Sequence, residues 1–389
     1  MAVAKNNQIK YFPVGNGDMS LITLADTTTI LIDCKLTKAS DESEDPLIHD
    51  SKKALLESIK KREGNYFVDV FVLTHGDKDH CHGFKDNFYQ GEPKNYSDAD
   101  RKKDLIIMDT MWFSPMIAEQ NKHDDETAHQ EEAERRLKMH RDKHADRDEP
   151  GNRILIIGYD NIEGYRDLDH LRRKPGQVVR DFDGKEKETF SIFIHAPFKI
   201  SDTSTEKDRN TASIVLQARF HPTKDSKEFT CLAMFGGDSD YTTWEQIVER
   251  TKRFGNDKNE KALDWDVFLA PHHCSWTYFN KSPDMKPTPV SLEVLDHARK
   301  NAWVVASSKK IVNNEDNPPY YEAKQEYIKK LSSKDQFLNT AIEPFEEAPT
   351  PIAFDITANG PAKAPKMSTG SSRNAAGGAG AAGTFISQG

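Results

Sequence analysis

The side chains best suited to chemistry in this chain lie in one short run, directly after the β-prone segment 68–73. Within six residues the run contains two histidines and two aspartates, which are His75, Asp77, Asp79 and His80. A strand that ends in a polar turn holds its last side chains at the rim of a sheet, where ligand sites tend to form. Imidazole and carboxylate groups at these spacings can converge on two cations about 3.5–4 Å apart. The run therefore predicts a two-metal site, and the alternative is a charged surface turn.

The composition limits what the rest of the chain can be. The chain has 389 residues, a formal net charge of −9 and a mean hydropathy of −0.76. This length allows one large domain or two small ones, and the acidity means that nucleic acid must be contacted through a local basic patch. The longest apolar stretches, such as 153–158, have the length of strands, so we expect no membrane contact. The first residues lack the apolar core of a secretory signal, and we expect a cytoplasmic protein.

The four cysteines are spaced too widely for a disulfide framework or a structural zinc knuckle. Cys81 and Cys274 lie in the two segments richest in histidine, where each could be a thiolate ligand or a residue that fills space beside the site. We favour the second interpretation for both.

Two β-rich halves must position these side chains. The strands predicted from the apolar pattern are 9–14, 20–24, 28–32, 68–73, 154–157, 190–196, 213–220, 229–235, 266–270 and 302–306. The predicted helices are 51–62, 241–253 and 320–332. The opening order of three strands, a helix and a strand resembles half of a sandwich with covering helices.

The segment 85–150 differs from both halves because it is dense in charged residues. Its second part is expected to form a solvated helix that extends away from the core, supported by pairs such as Glu131 and Arg135. We interpret its four histidines as bystanders, namely His123, His129, His140 and His144. The part 115–150 could instead dock a protein partner.

The predicted domain organisation is a single layered domain over residues 1–360 followed by a flexible tail over 361–389. The tail is rich in Gly, Ala and Ser, so it cannot bury enough apolar surface to become ordered.

Four further groups of polar residues lie at the ends of predicted strands. They are Gly236-Gly237-Asp238, Pro271-His272-His273-Cys274-Ser275, Asn210-Thr211-Ala212-Ser213 and His195. Each group alone is a weak signal, because glycine–aspartate turns and paired histidines occur by chance. Repeated at strand ends in this order, they predict an edge of a sheet that binds metal.

In sequence order these motifs resemble those of the metallo-β-lactamase superfamily, and within it the competence-type (ComEC-like) branch of DNA-uptake metallohydrolases. The matching pieces, over roughly residues 8–320, are Val14-Gly15-Asn16-Gly17-Asp18, Ile30-Leu31-Ile32-Asp33, His75-x-Asp77-x-Asp79-His80, Asn210 to Leu216, Gly237-Asp238 and Pro271-His272-His273-x-Ser275. The chain departs from the family at His82 and Cys274, where glycine is usual, and at Asn317, where the branch tends to have histidine.

The resemblance implies an αββα sandwich, a layered α/β (α+β) fold, with a dinuclear metal centre at one edge. The implied ligands are His75 and Asp77 for the first ion, Asp79 and His80 for the second, Asp238 as a bridge, His272 or His273 to complete the second site, and His195 or Asn210 to complete the first. Asp33 is expected to orient a ligating histidine rather than to bind metal. The implied catalytic residues are Asp79, His80 and Asp238, with Asp79 accepting the proton of the attacking water.

A ligand set of histidines and aspartates without an obligatory thiolate suits two divalent ions, Zn²⁺ or Mn²⁺. In such centres the two ions lower the pKa of a bridging water and orient the group under attack.

The function that these observations favour is a metal-dependent phosphodiesterase, a nuclease acting on DNA or RNA. Four lysines near the later motifs could contact phosphates or form ordinary solvated surface, namely Lys281, Lys286, Lys309 and Lys310. A second interpretation is hydrolysis of a small ester, a lactone or a cyclic nucleotide, since a fold does not determine its substrate. A third is a subunit of a multi-protein bacterial defence system, in which the insertion 115–150 docks a partner.

Overall fold

The computed structural model describes residues 6–36, 49–117, 123–159, 162–199, 209–254 and 261–365. Most of the predicted tail, from residue 366 onward, lies outside these ranges. Among the described residues, no helix combines the length and apolar character needed to cross a bilayer. The cytoplasmic location stays a prediction.

Two β-sheets dominate the described residues. In chain order the strands are β1 (Asn7–Tyr11), β2 (Ser20–Thr23), β3 (Thr29–Ile32), β4 (Lys60–Arg62), β5 (Asn65–Val72), β6 (Ile107–Phe113), β7 (Arg153–Ile157), β8 (Arg172–Arg173), β9 (Val178–Val179), β10 (Phe190–Ala196), β11 (Val215–Phe220), β12 (Cys231–Phe235), β13 (Trp265–Leu269), β14 (Ala298–Ala306), β15 (Phe337–Asn339), β16 (Ile352–Thr357) and β17 (Gly360–Lys363). The first sheet has the order β17-β16-β1-β2-β3-β5-β6-β7-β8, with β4 paired to β5, and the second has the order β15-β14-β13-β12-β11-β10-β9.

The α-helices of the described residues are α1 (Ser51–Ser58), α2 (Lys78–Cys81), α3 (Phe84–Asn87), α4 (Asp98–Lys102), α5 (Asp124–Arg141), α6 (Tyr241–Phe254), α7 (Pro271–Cys274), α8 (Pro289–Asp296) and α9 (Tyr321–Ile328). Most of the predicted elements are present, with shifted boundaries. One exception is the helix predicted over 51–62, which ends at Ser58. Residues 60–62 form β4 instead, and a tight turn at Glu63 and Gly64, both with positive φ, joins β4 to β5.

The two sheets pack face to face, and helices cover their outer faces. Alternate residues of β11, such as Leu216 and Ala218, belong to the same hydrophobic core as Ile9 and Tyr11 of the first sheet. Helices α6, α8 and α9 share a second core with the outer face of the second sheet. Helix α5 shares a third core with β6 and β7 on the outer face of the first sheet. The predicted layered α/β fold is confirmed.

Parallel strands bring distant parts of the chain to one edge. Strands β3 and β5 run parallel, and so do β12, β13 and β14. Because the carboxyl ends of parallel strands meet at the same edge of a sheet, the segments after these five strands collect there, and we name this edge the rim. A backbone hydrogen bond from Ile214 N to Thr74 O, 2.9 Å long, joins the two sheets at the rim.

The described parts of the charged segment 85–150, namely 85–117 and 123–150, do not project from this body. They contain β6, which lies between β5 and β7 in the first sheet. The expectation of a solvated helix that extends away from the core is wrong, because α5 buries one face: Glu126, Ala128, His129, Glu132, Ala133, Arg136, Leu137, Met139 and His140. Its charged residues satisfy one another inside the structure, as Arg136 Nε donates to Glu132 Oε1 at 2.7 Å.

Strand β17 runs to Lys363 and pairs with β16, so it crosses the predicted start of the tail at residue 361.

Candidate metal centre

The loop after β5 carries the run that was predicted to bind metal. It passes through His75 and Gly76 before α2 begins, with Asp77 at the N-cap. A Cβ on Gly76 would lie 2.9 Å from Ile117 Cγ2, closer than real Cβ contacts, and 3.0 Å from Glu126 Oε1. Glycine therefore allows the loop to lie close to Ile117 and to the start of α5.

His80 has a carboxylate on each ring nitrogen. Its Nδ1 lies 2.9 Å from Asp33 Oδ2, and its Nε2 lies 2.9 Å from Asp238 Oδ1. Asp33 is itself fixed, because it accepts hydrogen bonds from Thr74 N at 2.7 Å and from Thr74 Oγ1 at 2.6 Å. The predicted contact between Asp33 and a histidine ring is confirmed. Such a partner fixes the ring and directs Nε2 toward a metal ion.

Asp238 follows β12 on a turn that depends on glycine. Gly237 has φ of +51°, and a Cβ there would lie 2.9 Å from Thr74 Oγ1. Oδ1 of Asp238 lies 3.5 Å from His273 Nε2 in addition to its contact with His80, whereas Oδ2 lies 3.7 Å from His272 Nε2. A buried carboxylate whose two oxygens face different histidines suits a bridging role.

The turn α7, which supplies two histidines, has an unusual backbone. Three successive residues have left-handed φ angles, with 49° at His272, 54° at His273 and 68° at Cys274. Side chains with Cβ atoms disfavour this region, and each such residue costs on the order of 1–3 kcal/mol. His272 N donates to Gly237 O at 3.0 Å, which ties the turn to the segment after β12. Backbone strain of this kind clusters at functional sites.

His273 is oriented in the same way as His80. Its Nδ1 lies 3.1 Å from the carbonyl oxygen of Ser307, which accepts the ring N–H. Its Nε2 lies 3.1 Å from Asp79 Oδ2. The carbonyl thus fixes the tautomer whose Nε2 can bind metal.

These contacts produce a group that we name the metal cluster, made of Asp79, His80, Asp238 and His273. Each member offers one ligand atom, and these atoms all lie within 4.8 Å of one another. The contacts of 2.9, 3.1 and 3.5 Å between them are close to the roughly 3.3–3.4 Å that a tetrahedral ion with bonds of about 2.0–2.1 Å imposes on its ligands. The cluster therefore fits a divalent metal ion, and it includes His273 rather than His272.

The electrostatics of the cluster also favour a cation. Burial alone would lower the pKa of His80, but Asp238 and Asp33 raise it well above its ordinary value. Burial would also lower the pKa of His273, but Asp238, Asp18 and Asp79 raise it to about 10. Protons on these rings balance the buried carboxylates, and a divalent ion would supply the same positive charge while displacing them.

The ring of His75 is also suited to bind a metal ion. Both of its ring nitrogens are buried without a hydrogen-bond partner among the described residues. Its Nδ1 lies 3.8 Å from Asp77 Oδ2, and its ring centroid lies 5.3 Å from that of His80. Burial lowers the pKa of His75, which keeps the ring in the neutral form that binds metal. An unpartnered buried imidazole costs free energy, and an ion beside His75 and Asp77 would remove that cost.

The two residues expected to complete the first site lie in different places. Asn210 Nδ2 lies 3.5 Å from His272 Nδ1, beside the cluster. The structure does not bring His195 to the cluster, because Ile192 and Ile194 belong to the core between the sheets and alternation turns His195 to the opposite face. There its ring centroid lies 4.7 Å from that of Phe193.

Asp18 belongs to the site although it was not among the predicted ligands. It is buried, its Oδ1 lies 3.5 Å from His273 Nδ1, and its backbone N–H donates to Asp79 O at 3.2 Å. One of its carboxylate oxygens, one of Asp33 and one ring nitrogen of His80 lie within 4.8 Å of one another. The signal for it was present, since Asp18 ends the motif that opens the chain.

The first turn of α5 supports the metal-binding loop from outside. His123 Nε2 lies 3.1 Å from Gly76 O, and His82 Nδ1 lies 3.4 Å from Asp125 Oδ2. His123 Nε2 also lies 3.6 Å from Cys81 Sγ. His123 is therefore a positioning residue and not a bystander, and Cys81 fills space beside the loop, as expected.

No model of a known protein family matches the chain, and a search of curated proteins finds no match. Among solved structures, one that is similar is a protein of Parabacteroides distasonis, described provisionally as a metal-dependent hydrolase. It shares 11% sequence identity with this chain, at a TM-score of 0.33, over 85% of this chain and 92% of the other. A likeness at this level carries no argument about function, which rests on the chain's own residues.

Proposed function

We propose that the chain is a metal-dependent hydrolase of the metallo-β-lactamase fold that cleaves phosphodiester bonds of DNA or RNA. The observation that carries the proposal is the metal cluster at the rim, with four ligand atoms within 4.8 Å. The order of the sequence motifs and the layered α/β fold support the family assignment. The raised pKa of His273 supports a site built to hold positive charge.

Two divalent ions, Zn²⁺ or Mn²⁺, would be held on either side of Asp238. The donors for one ion are Asp79, His80 and His273, which lie on the Oδ1 side of that carboxylate. The donors for the other would be His75, Asp77 and His272, and Asn210 lies beside His272. In this proposal His272 takes the place that was expected for His195.

When bound, two such ions lower the pKa of a water and neutralise charge on a phosphate. The chain's own contribution is to bury some donors and to leave others within reach of solvent. Among the three carboxylates, the side chain of Asp79 is the most exposed at 34%, compared with 24% for Asp77 and 3% for Asp238. Asp79 is therefore the carboxylate placed to accept a proton from a nucleophile that enters from solvent.

The proposal is tested with metal-stripped protein that is reloaded with Mn²⁺ or Zn²⁺ and given single- and double-stranded DNA and RNA. We expect cleavage that requires metal and is lost in Asp79→Ala, while the exposed control Asp335→Ala cleaves like the wild type. Cleavage by Asp79→Ala at the wild-type rate would refute the proposed role of the cluster. Two bound ions without cleavage would favour the small-substrate alternative, namely a small ester, a lactone or a cyclic nucleotide.

We also propose that any protein partner, as in a multi-protein defence system, docks on the exposed face of α5 within 115–150. That face presents Glu131, Glu134 and Lys138, while the opposite face is buried on the first sheet. Replacing these three residues with alanine should abolish capture of the partner without changing metal content. Capture that survives the triple replacement would contradict this surface.

A further inference from the structure

We propose that Lys35 and Lys309 form an anion subsite beside the metal cluster, which recognises a phosphate group of the substrate next to the bond that is cleaved. The inference rests on the proposed function and narrows its substrate class. It assigns the subsite to one residue that the sequence motifs did not single out, Lys35, and to one of the four lysines near the later motifs, Lys309.

Lys35 is held in place by the loop that precedes β2. It lies two residues after Asp33, and its ammonium group donates to the carbonyl oxygen of Asn16. Its alkyl chain crosses Gly17, where an added Cβ would collide with Lys35 Cδ and would lie 2.6 Å from Asp79 O. Glycine at position 17 therefore leaves room for Lys35 to pass over the backbone beside Asp79.

Lys309 is attached to the same loop from the other sheet. Its backbone N–H donates to Asn16 Oδ1 at 2.9 Å, and Asn16 Nδ2 donates to Pro318 O at 3.0 Å. Ser307 Oγ donates to Gly17 O at 2.5 Å, which fixes the end of β14 against this loop. Asn16 thus connects the backbone of Lys309 and the ammonium group of Lys35 within one network.

The two lysines carry positive charge near the metal cluster. Burial lowers the pKa of Lys35, and among the described residues Asp79, Lys309 and Asp18 act on its ammonium group. Among the described residues, no carboxylate lies within 4.0 Å of the ammonium group of Lys35 or of Lys309. Asp79 belongs to the metal cluster, so a bound ion would use its charge. Two neighbouring lysines that form no ion pair with the described residues suit a site that binds an anion.

The neighbouring lysine provides a contrast inside the same segment. Lys310 donates to both carboxylate oxygens of Glu346, at 2.7 and 2.8 Å. Its charge is satisfied by the protein, so Lys310 has no need of a ligand. This pair makes Lys310 a matched control for Lys309.

The ligand that fits this subsite is a tetrahedral phosphate group, which could contact both the metal ions and Lys35. A phosphodiester or nucleotide presents such an anionic group, whereas a neutral ester or lactone offers nothing for the two lysines to bind. The subsite therefore favours a phosphodiester over the uncharged small substrates.

The experiment measures binding of inorganic phosphate by calorimetry to the full chain, both metal-stripped and loaded with Mn²⁺, with metal content determined for each protein. We expect Lys35→Met to weaken phosphate binding about tenfold or more, as for a lost hydrogen bond between charged groups. Lys309→Glu should weaken it by a similar factor, because it reverses a charge at an exposed position. Lys310→Met should change nothing, and all variants should retain wild-type metal content.

The outcomes separate this inference from the proposed function. Wild-type phosphate affinity in both Lys35→Met and Lys309→Glu would overturn the subsite, whatever the metal content. If Lys35→Met does not fold, Lys309→Glu decides by itself. A wild-type protein that holds metal but no phosphate would overturn the subsite and leave the hydrolase intact. A protein that binds no metal but binds phosphate through both lysines would sustain the subsite and refute the hydrolase.

Discussion

Two histidine-rich regions of the molecule, the rim and helix α5, differ in what surrounds their imidazole rings. At the rim, His80 lies 2.9 Å from one carboxylate and 2.9 Å from another. On α5, the ring centroid of His129 lies 5.3 Å from that of Phe84 and close to two further phenyl rings. Both histidines are fully buried, so burial alone does not distinguish them.

The surroundings give the two rings opposite charge states. Carboxylates raise the pKa of His80 well above its ordinary value despite burial. Burial, with a smaller effect of Arg136, lowers the pKa of His129 to about 3. A buried histidine therefore marks a cation site when acidic groups enclose it, and a structural position when aromatic rings do.

The largest expected effect is a loss of turnover when a ligand at the rim is changed. Asp238→Asn should reduce turnover by about 10³-fold or more, because the stabilisation that the metal ions give to the transition state amounts to several kcal/mol. Metal content should fall with turnover, and both are measured on the purified variant. Loss of turnover with full metal content would show that Asp238 acts otherwise than as a ligand.

On α5 we expect a large loss of stability without loss of chemistry. Glu132→Ala leaves Arg136 buried without the carboxylate that its Nε contacts at 2.7 Å. Breaking a buried pair in this way costs about 3–5 kcal/mol, which urea unfolding of the metal-stripped protein would measure. Glu134→Ala on the exposed face is the control and should change the unfolding free energy by less than about 0.5 kcal/mol. Metal binding weakened by Glu132→Ala would contradict the division between the regions.

A smaller effect is expected from the residue that orients His80. Asp33→Asn should weaken metal affinity about 10–100-fold, as is usual for the partners of ligating histidines. Asp69 offers a matched control, because it accepts hydrogen bonds from Thr29 N and Oγ1 as Asp33 does from Thr74. Asp69→Asn should lower stability and leave metal affinity unchanged, so equal metal affinity in both variants would refute the orienting role.

The smallest expected effect concerns pH. The pKa of His129 falls from an unfolded value near 6.5 to about 3 in the folded protein. Its stabilising contribution is complete above about pH 6.5 and is lost as pH falls toward 3. The melting temperature of His129→Phe should therefore fall less between pH 7 and pH 4 than that of the wild type, by a few degrees. The exposed control His144→Gln should follow the wild type, and identical curves for all three would show that His129 does not titrate as described.

The rim could be predicted because its side chains follow strand ends that apolar patterns reveal. His75, Asp238 and His273 each come directly after such a strand, and parallel pairing brings their segments together. His195 also lies near a strand end, but its position in the two-residue alternation turns it away from the core between the sheets. Asp18 ends the motif Val14-Gly15-Asn16-Gly17-Asp18, yet its role depends on a contact with His273 that no local pattern reveals.

The burial of helix α5 is hard to predict from sequence, because a high density of charged residues usually indicates an exposed helix. Glu132 and Arg136 are four residues apart, so they can pair with each other and be buried together. Strand β6 lies within the same charged segment. The apolar run 105–108 indicates a strand there, but charged residues surround it in the sequence.

The dispersal of the candidate donors along the chain also has a consequence for biosynthesis. Asp79 and His80 follow β5, whereas His273 follows β13, and β13 pairs with β14, so a chain emerging from the ribosome cannot assemble the metal cluster until β14 is complete. Because the group does not exist in the unfolded chain, the free energy of metal binding is available only to the finished fold. Any metal ion that the cluster binds should therefore enter only after β14 has been synthesised and has paired with β13.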